Sequence, residues 1–102
     1  MSCTKKSIKA RAATKVRFRI SQEQSNNNAA IYVAGTFNNW DEYSLPMKKQ
    51  KDGSFMLEIE LPAGEKHLFR YVGADGLWFN DPEADAYEPS GFAGVYNCVL
   101  RV

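Results

Sequence analysis

Two stretches of the chain alternate between apolar and polar residues with a period of two. From Lys15 to Ile20 every second residue is apolar, and the residues between are Lys or Arg. From Phe55 to Leu61, Phe, Leu, Ile and Leu alternate with Met and Glu. Because successive side chains of a strand point to opposite faces, this period is typical of a strand buried on one side. The chain is therefore predicted to build its core from strands that each have one apolar face.

Further strands are predicted where short apolar stretches end at turn signals. Asp52-Gly53 is a turn of the kind that joins antiparallel strands. The remaining strands are expected at residues 29–34, 47–50, 67–72, 77–79 and 95–102. Residues 80–94 are acidic and contain Pro and Gly, which predicts an irregular excursion. Since no helical period of useful length occurs, the pattern favours an all-β sandwich or barrel.

Length and charge bound the domain organisation. A chain of 102 residues, 44% of them hydrophobic, suffices for one compact domain with its own core. We expect a single β domain over residues 15–102 and a basic, flexible arm over residues 1–14. Residues 1–19 hold seven Lys and Arg and no acid, but no aromatic residue is interleaved with them before Phe18, which argues against nucleic-acid binding. With no secretory signal and no apolar run long enough to cross a bilayer, we expect a soluble, cytoplasmic protein without membrane contact.

The composition offers little for catalysis or metal binding. Cys3 and Cys98 show no repeated spacing, and both are interpreted as free thiols. His67 is the single histidine, and a place on a strand face is favoured over metal ligation. The sequence contains no motif of a known catalytic centre, so we predict no enzyme activity, no metal site and no cofactor. Four acids lack the spacing of a calcium loop and are interpreted as solvated: Asp81, Glu83, Asp85 and Glu88.

Three motifs in a fixed order carry a resemblance to a known family. They are Gly35-Thr36-Phe37-Asn38-Asn39-Trp40, then Leu61-Pro62-Ala63-Gly64, then Asp75-Gly76-Leu77-Trp78 followed by Asp81-Pro82. In this order and spacing, residues 29–102 resemble the family 48 carbohydrate-binding module. That family includes the glycogen-binding domain of the AMP-activated protein kinase β subunit and the N-terminal domains of isoamylases and glycogen branching enzymes. The resemblance implies an immunoglobulin-like (early-set) antiparallel β-sandwich that binds α-glucan without catalysis.

The same resemblance implies a set of carbohydrate-binding residues. Carried over by motif, the glucan-binding face consists of Trp40, Arg70, Trp78 and Asn97. Phe92 is the candidate for the leucine that covers the sugar in the family. The alternation pattern agrees in part, because Arg70 is predicted to point away from the face of its strand that carries the aromatic residues.

The chain departs from the family pattern at four places. Arg70 stands where the family has lysine, and Gly73-Ala74 lengthens a hairpin by one residue. Cys98 stands where a second asparagine is common, and residues 91–94 reshape the segment that supplies the covering leucine. These departures bear on affinity and specificity more than on the fold.

These residue types suit a sugar ligand. A glucose ring presents a face of C–H groups and a rim of hydroxyls, and an indole supplies a flat apolar plate at low cost in rotamer entropy. Two plates set at an angle could hold the curved path of an α-1,4-linked chain. Arg70 can donate to vicinal hydroxyls, and Asn97 can both donate and accept. Such an open, wet site predicts weak binding, with a dissociation constant on the order of micromolar to millimolar.

Other interpretations of the same residues stay open at this point. Trp40 and Trp78 could belong to the core or cover a loop, as tryptophans in small domains often do. Arg70 and Asn97 could be ordinary strand residues. The module could also be a protein-interaction or scaffold domain that has lost sugar binding. If the sugar interpretation holds, the partners expected are an α-glucan polysaccharide or oligosaccharide and a glycoside hydrolase or other glucan-active enzyme.

Overall fold

The structure, a computed structural model, describes residues 3–8, 13–25, 28–82, 84–91 and 94–102. Within these ranges the chain forms strands joined by turns, with a single turn of 3₁₀ helix at Thr36–Asn38. The strands are β1 (Cys3–Ile8), β2 (Ala13–Ile20), β3 (Ile31–Gly35), β4 (Lys48–Lys49), β5 (Phe55–Pro62), β6 (Lys66–Gly73), β7 (Trp78–Phe79), β8 (Ala86–Pro89) and β9 (Tyr96–Arg101). None of the described residues forms a helix long and apolar enough to cross a membrane.

The strands form two antiparallel sheets that share one core. One sheet has the order β1-β2-β5-β4, and the other has the order β3-β6-β9-β8 with β7 paired to β6. The Phe18 ring of the first sheet meets the Phe69 ring of the second edge to face, with 5.1 Å between the ring centroids. Two packed sheets with separate edges confirm the all-β prediction and decide for the sandwich over the barrel. The immunoglobulin-like arrangement of the connections stays a prediction.

The two alternating stretches form strands with one buried face, as their period predicts. In β2 the apolar residues Val16, Phe18 and Ile20 are buried, and the Arg residues between them are exposed. Val16 lies opposite Ile59 of β5, so the apolar faces of both strands turn to the same core. This outcome follows from the pleat, because register pairs share a face of the sheet.

The prediction of a flexible arm over residues 1–14 is wrong for Cys3–Ile8. These residues form β1, which pairs antiparallel with β2 and extends the first sheet by one edge strand. The Cys3 side chain is buried in the core cluster, and the Lys5 ammonium lies 2.7 Å from the Asp85 carboxylate. Pairing satisfies backbone groups that an unpaired edge of β2 would expose to solvent. Residues 1–2 and 9–12 lie outside the described residues.

The segment 80–94, predicted to be irregular, contains β8. Ala86–Pro89 pairs antiparallel with β9 at the edge of the second sheet. Proline is tolerated on an edge strand, because its missing N–H can face away from the neighbour. The strand alternates half-buried and exposed residues, but over four residues this pattern is too short to detect beside Pro and Gly.

The interpretation of Asp81 as a solvated acid is also wrong, since this residue has no exposed surface. The Tyr71 hydroxyl donates to Asp81 Oδ2 at 3.0 Å, and the Asp81 N–H donates to Cys98 Sγ at 3.2 Å. The Tyr87 hydroxyl donates to the Asp81 carbonyl. Burial is the largest cause that raises the pKa of Tyr71 well above its usual value. This cluster fastens the segment after β7 to the core. Asp85 and Glu88 form ion pairs with lysines, and Glu83 lies outside the described residues.

Candidate functional site

The outer face of the second sheet gathers three of the predicted site residues. Ala34 of β3 lies opposite Arg70 of β6, and Trp78 of β7 lies opposite Val72 of β6. On the side of β6 away from β3, Phe69 pairs with Cys98 of β9, which places Asn97 beside Arg70. Because Phe69 and Tyr71 point into the core, Arg70 and its neighbours in register point outward. The register therefore sets Arg70, Trp78 and Asn97 on one surface.

The loop after β3 brings the fourth residue, Trp40, over the same surface. The chain leaves Gly35 through the 3₁₀ turn and passes Asn39 and Trp40 in left-handed conformation, with φ of 56° and 58°. Left-handed backbone is uncommon for residues other than glycine, and such strain persists where the surroundings hold it. Here the Trp40 N–H donates to the Gly35 carbonyl at 2.9 Å. Two strained residues in succession set the direction in which the indole leaves the loop.

The Asn38 side chain fastens this loop from inside. Its Oδ1 accepts from the Gly35 N–H at 2.9 Å, and its Nδ2 lies 3.2 Å from the carbonyls of Val33 and Asp41. The same Nδ2 lies 3.0 Å from the Ser44 hydroxyl oxygen. An amide side chain has one acceptor oxygen and two N–H donors, so the group is used fully. Asn38 therefore joins both ends of the loop that carries Trp40.

The four predicted site residues Trp40, Arg70, Trp78 and Asn97 line a cleft of about 690 Å³ on the outer face of the sheet. The indoles of Trp40 and Trp78 are half-buried in it, with 6.4 Å between ring centroids and an angle of 39° between ring planes. We call this the tryptophan cleft. Its lining consists of Thr36, Trp40, Leu68, Arg70, Trp78, Ser90, Val95 and Asn97.

Arg70 is held against one of the two indoles. Its guanidinium carbon lies 5.9 Å from the centre of the Trp78 ring, within the range of a cation–π contact. Its Nε–H donates to Asn80 Oδ1 at 2.9 Å, while Asn80 Nδ2 donates to the Tyr96 carbonyl at 2.8 Å. Asn80 thus orients the guanidinium and ties it to the last strand. Sequence reasoning missed Asn80, and its place two residues after Trp78 is the only signal that could have suggested it.

Asn97 forms part of the cleft wall and is only 9% exposed. Phe92, the candidate for the covering residue, lies outside the described residues. Ser90 and Val95, which flank residues 91–94, do line the cleft. Sequence reasoning missed both, since neither belongs to an alternating stretch. Leu68 could have been found, because it is two residues from Arg70 on the same strand and so shares its face.

Cys98, named as a departure from the family pattern, does not reach the tryptophan cleft. Its side chain is fully buried in the core cluster on the opposite face of β9. Burial raises the pKa of the Cys98 thiol to about 11, so the group is neutral at ordinary pH. At this position the side chain therefore belongs to the packing beneath the site and adds no group to the lining of the cleft.

The arrangement is suited to binding an uncharged ring with hydroxyl groups. Two indoles offer apolar plates, and Arg70 and Asn97 offer fixed hydrogen-bonding groups beside them. Among the described residues that line the cleft, none is Asp or Glu. A paired carboxylate mechanism of glycoside hydrolysis has no groups to use among them. A β-sandwich with such an open aromatic cleft on one sheet has the architecture of a carbohydrate-binding module.

Comparison with known proteins agrees with this class. The chain belongs to the family described as the glycogen recognition site of AMP-activated protein kinase, whose model matches residues 16–102. Over 58 residues it is 33% identical to the 5'-AMP-activated protein kinase subunit beta-2 of Mus musculus and to that of Homo sapiens. The aligned stretch covers 57% of this chain and 20% of each relative, so the chain spans about one fifth of the relatives it matches. The resemblance drawn from the three motifs is confirmed.

Proposed function

We propose that this chain binds α-glucan chains, of the kind found in glycogen and starch, in the tryptophan cleft and without catalysing their conversion. The observation that carries the proposal is the pair of tilted indoles, Trp40 and Trp78, beside Arg70 and Asn97 in one open cleft. Membership in a glycogen-recognition family supports the class of ligand. The geometry of this chain's own residues supports the tryptophan cleft as the binding site.

The angle between the indoles favours a curved ligand. Rings whose planes differ by 39° and whose centroids lie 6.4 Å apart can face successive units of a chain that bends. A straight β-1,4-linked chain, as in cellulose, would instead match plates lying in one plane. Each plate contributes apolar area against the C–H face of a sugar. The selectivity for α-linked glucan thus follows from the shape of the platform.

Hydrogen bonds fix the sugar on these plates. The Arg70 fork can donate to neighbouring hydroxyls, and the link to Asn80 holds the fork in place before the ligand arrives. Since the cleft is open to water, part of this gain replaces bonds to solvent. The dissociation constant for a single site is then expected to be on the order of micromolar to millimolar, or about −8 to −4 kcal/mol.

Such weak binding suits a module that keeps a linked enzyme on a polymer. A glucan offers many repeats of the same site, so retention can exceed the affinity for one oligosaccharide. The relatives in the comparison are subunits of a kinase, and the chain covers only a small part of them. We therefore propose that this module targets or regulates a glucan-active enzyme.

Retention on insoluble glucan tests the proposal. Wild type is expected to co-sediment with glycogen–concanavalin A complexes and amylose and to stay in the supernatant with cellulose. Trp40→Ala and Trp78→Ala each weaken retention, and the double variant abolishes it. Arg70→Ala weakens retention, whereas Arg17→Ala does not, because Arg17 pairs with Glu58 on the other sheet.

Circular dichroism of each variant keeps the result interpretable. If a folded wild type shows no retention on any α-glucan, the proposal is wrong and the interpretation as a protein-interaction or scaffold domain takes its place. Unchanged retention in a folded double tryptophan variant would contradict the assignment of the site to these residues.

A further inference from the structure

A second pair of aromatic rings lies beside the tryptophan cleft. Tyr32 and Tyr43 meet edge to face, with 5.4 Å between ring centroids and 86° between ring planes. Tyr32 belongs to β3 and lies opposite Val72 of β6, which itself lies opposite Trp78 of β7. Register pairs share a face, so Tyr32 and Trp78 stand on the outer face in one row across three strands. Two strand spacings, about 9.6 Å, separate their backbones.

The residue between these two aromatics is covered. Val72 has no exposed surface, although its register places its side chain on the outer face of the sheet. Its neighbours in the row, Tyr32 and Trp78, are both half-buried. An apolar side chain on an outer face becomes inaccessible only when adjacent side chains close over it. Tyr32 and Trp78 thus form an aromatic row on the outer surface, with the covered Val72 between them in register.

Tyr43 extends this surface and remains 65% exposed. Its backbone N–H donates to Asp41 Oδ1 at 2.9 Å, in the loop that also carries Trp40. The chain just after it is fastened to β3, because the Val33 N–H donates to the Leu45 carbonyl at 3.0 Å and Pro46 bridges Tyr32. An aromatic ring held in place yet exposed leaves apolar area in contact with water. Covering such a ring with a ligand removes that apolar area from water and favours binding.

We propose that Tyr43, supported from behind by Tyr32, is an additional subsite that stacks on a further glucose unit of the same glucan chain. This inference rests on the proposed function. Tyr43 is absent from the lining of the tryptophan cleft, so a short oligosaccharide held between the indoles does not reach it. A longer glucan that leaves the cleft over Val72 contacts Tyr43. The affinity then rises with the length of the glucan, and the increase depends on Tyr43, outside the cleft.

A packing role alone does not account for Tyr43. Tyr32 already stands in register beside Val72, and Tyr43 keeps most of its own surface in water. Its loss should therefore cost little stability. The phenol suits a sugar, because its ring offers an apolar face while its hydroxyl can exchange hydrogen bonds with the sugar rim.

The test is calorimetric titration of the folded chain with maltotriose and with maltoheptaose. We expect wild type to bind maltoheptaose more tightly, and Tyr43→Ala to weaken that binding about three- to tenfold while leaving maltotriose unchanged. Tyr43→Phe keeps the stacking face and retains most of the length dependence. Trp78→Ala weakens both ligands alike. The midpoint of urea unfolding should change little in Tyr43→Ala, because the substitution removes one edge-to-face ring contact and an exposed ring.

The other outcomes contradict either the Tyr43 subsite alone or glucan binding as a whole. If wild type binds both sugars and Tyr43→Ala binds them as wild type does, the additional subsite is refuted and the tryptophan cleft stands. An equal loss for both sugars in Tyr43→Ala refutes the subsite as well, because the residue would then act on the cleft itself. If wild type binds neither sugar, the proposed function fails together with the subsite.

Discussion

Replacement of Asn38 by alanine should loosen the Trp40 loop and weaken glucan binding more than it weakens the fold. The side chain joins the Gly35 N–H to the Val33 and Asp41 carbonyls. Without it, the loop on both sides of the left-handed residue Trp40, with φ of 58°, loses the bonds that hold its shape. The loop can then relax and turn the indole away from the cleft.

The expected magnitude follows from the number of bonds. Asn38 has one acceptor and two donor hydrogens, which allows about three good hydrogen bonds at about 1 kcal/mol net each. Asn38 is only half-buried, so water can replace part of them. We expect the free energy of unfolding to fall by about 2 kcal/mol. For a domain of this size that corresponds to a decrease in Tm of about 8–16 °C.

Two measurements separate the effect on the fold from that on the site. Urea unfolding followed by tryptophan fluorescence gives the loss of stability, and titration with maltoheptaose at a temperature where the variant is folded gives the loss of affinity. Asn38→Asp keeps the acceptor for the Gly35 N–H but turns a carboxylate oxygen towards the Val33 and Asp41 carbonyls, so it should not restore the stability of wild type. Asn39→Gly is the matched control. It places glycine, which tolerates φ of 56°, in the same loop and should be close to neutral.

This role of Asn38 is refuted if Asn38→Ala unfolds within about 0.5 kcal/mol of wild type and binds sugar equally well, because surface substitutions without a structural role commonly fall in that range. It is also refuted if Asn38→Ala loses stability while its affinity for maltoheptaose is unchanged. In that case the loop would keep its shape without the amide.

Three further expectations follow from the cleft and the core. Asn80→Ala should lower affinity for maltoheptaose about threefold or more with little loss of stability, since it frees a guanidinium, and Asn80→Asp, which keeps the acceptor, should restore part of it in the same titration. Tyr71→Phe should lower the free energy of unfolding in urea by about 1–3 kcal/mol, because a buried carboxylate loses a donor; an unchanged midpoint would contradict this. Burial raises the pKa of Cys3 to about 12 and that of Cys98 to about 11, against 9.0 for a free thiol. The unfolded chain therefore loses these protons first, and stability should fall as pH rises above about 9. Urea midpoints across that range should show a smaller fall in the double variant Cys3→Ala, Cys98→Ala, and an equal fall would assign the effect to other groups.

The faces of the strands could be predicted from the sequence because the pleat has a fixed period. That period places Arg70 outward and Phe69 inward without any knowledge of the neighbouring strands, and the structure agrees. The choice of Trp40, Trp78 and Asn97 came from the family resemblance instead, since turn-rich sequence around Trp40 carries no period. The structure brings these residues to one cleft, and sugar binding by them stays a prediction.

The elements that escaped prediction are those that depend on a neighbouring strand or on hydrogen-bond partners, and not on an alternating pattern of their own. Cys3–Ile8 is a strand because β2 offers it an edge, and Ala86–Pro89 is a strand because β9 does. Neither stretch has a clear apolar face of its own. Asp81 is buried with hydrogen bonds from Tyr71 of β6 and Tyr87 of β8. An acid in a run of acids gives no sign of such partners, so composition alone pointed to solvent.

The attachment of residues 45–47 to β3 has a consequence for crowding on a polymer. The Val33 N–H donates to the Leu45 carbonyl, and the Met47 N–H donates to the Ile31 carbonyl at 2.8 Å. These bonds occupy the Val33 N–H and the Ile31 carbonyl at the edge of the sheet, so a second chain cannot pair with these groups without first displacing that segment. Neighbouring molecules bound to one glucan particle can therefore lie side by side without pairing their sheets along the β3 edge.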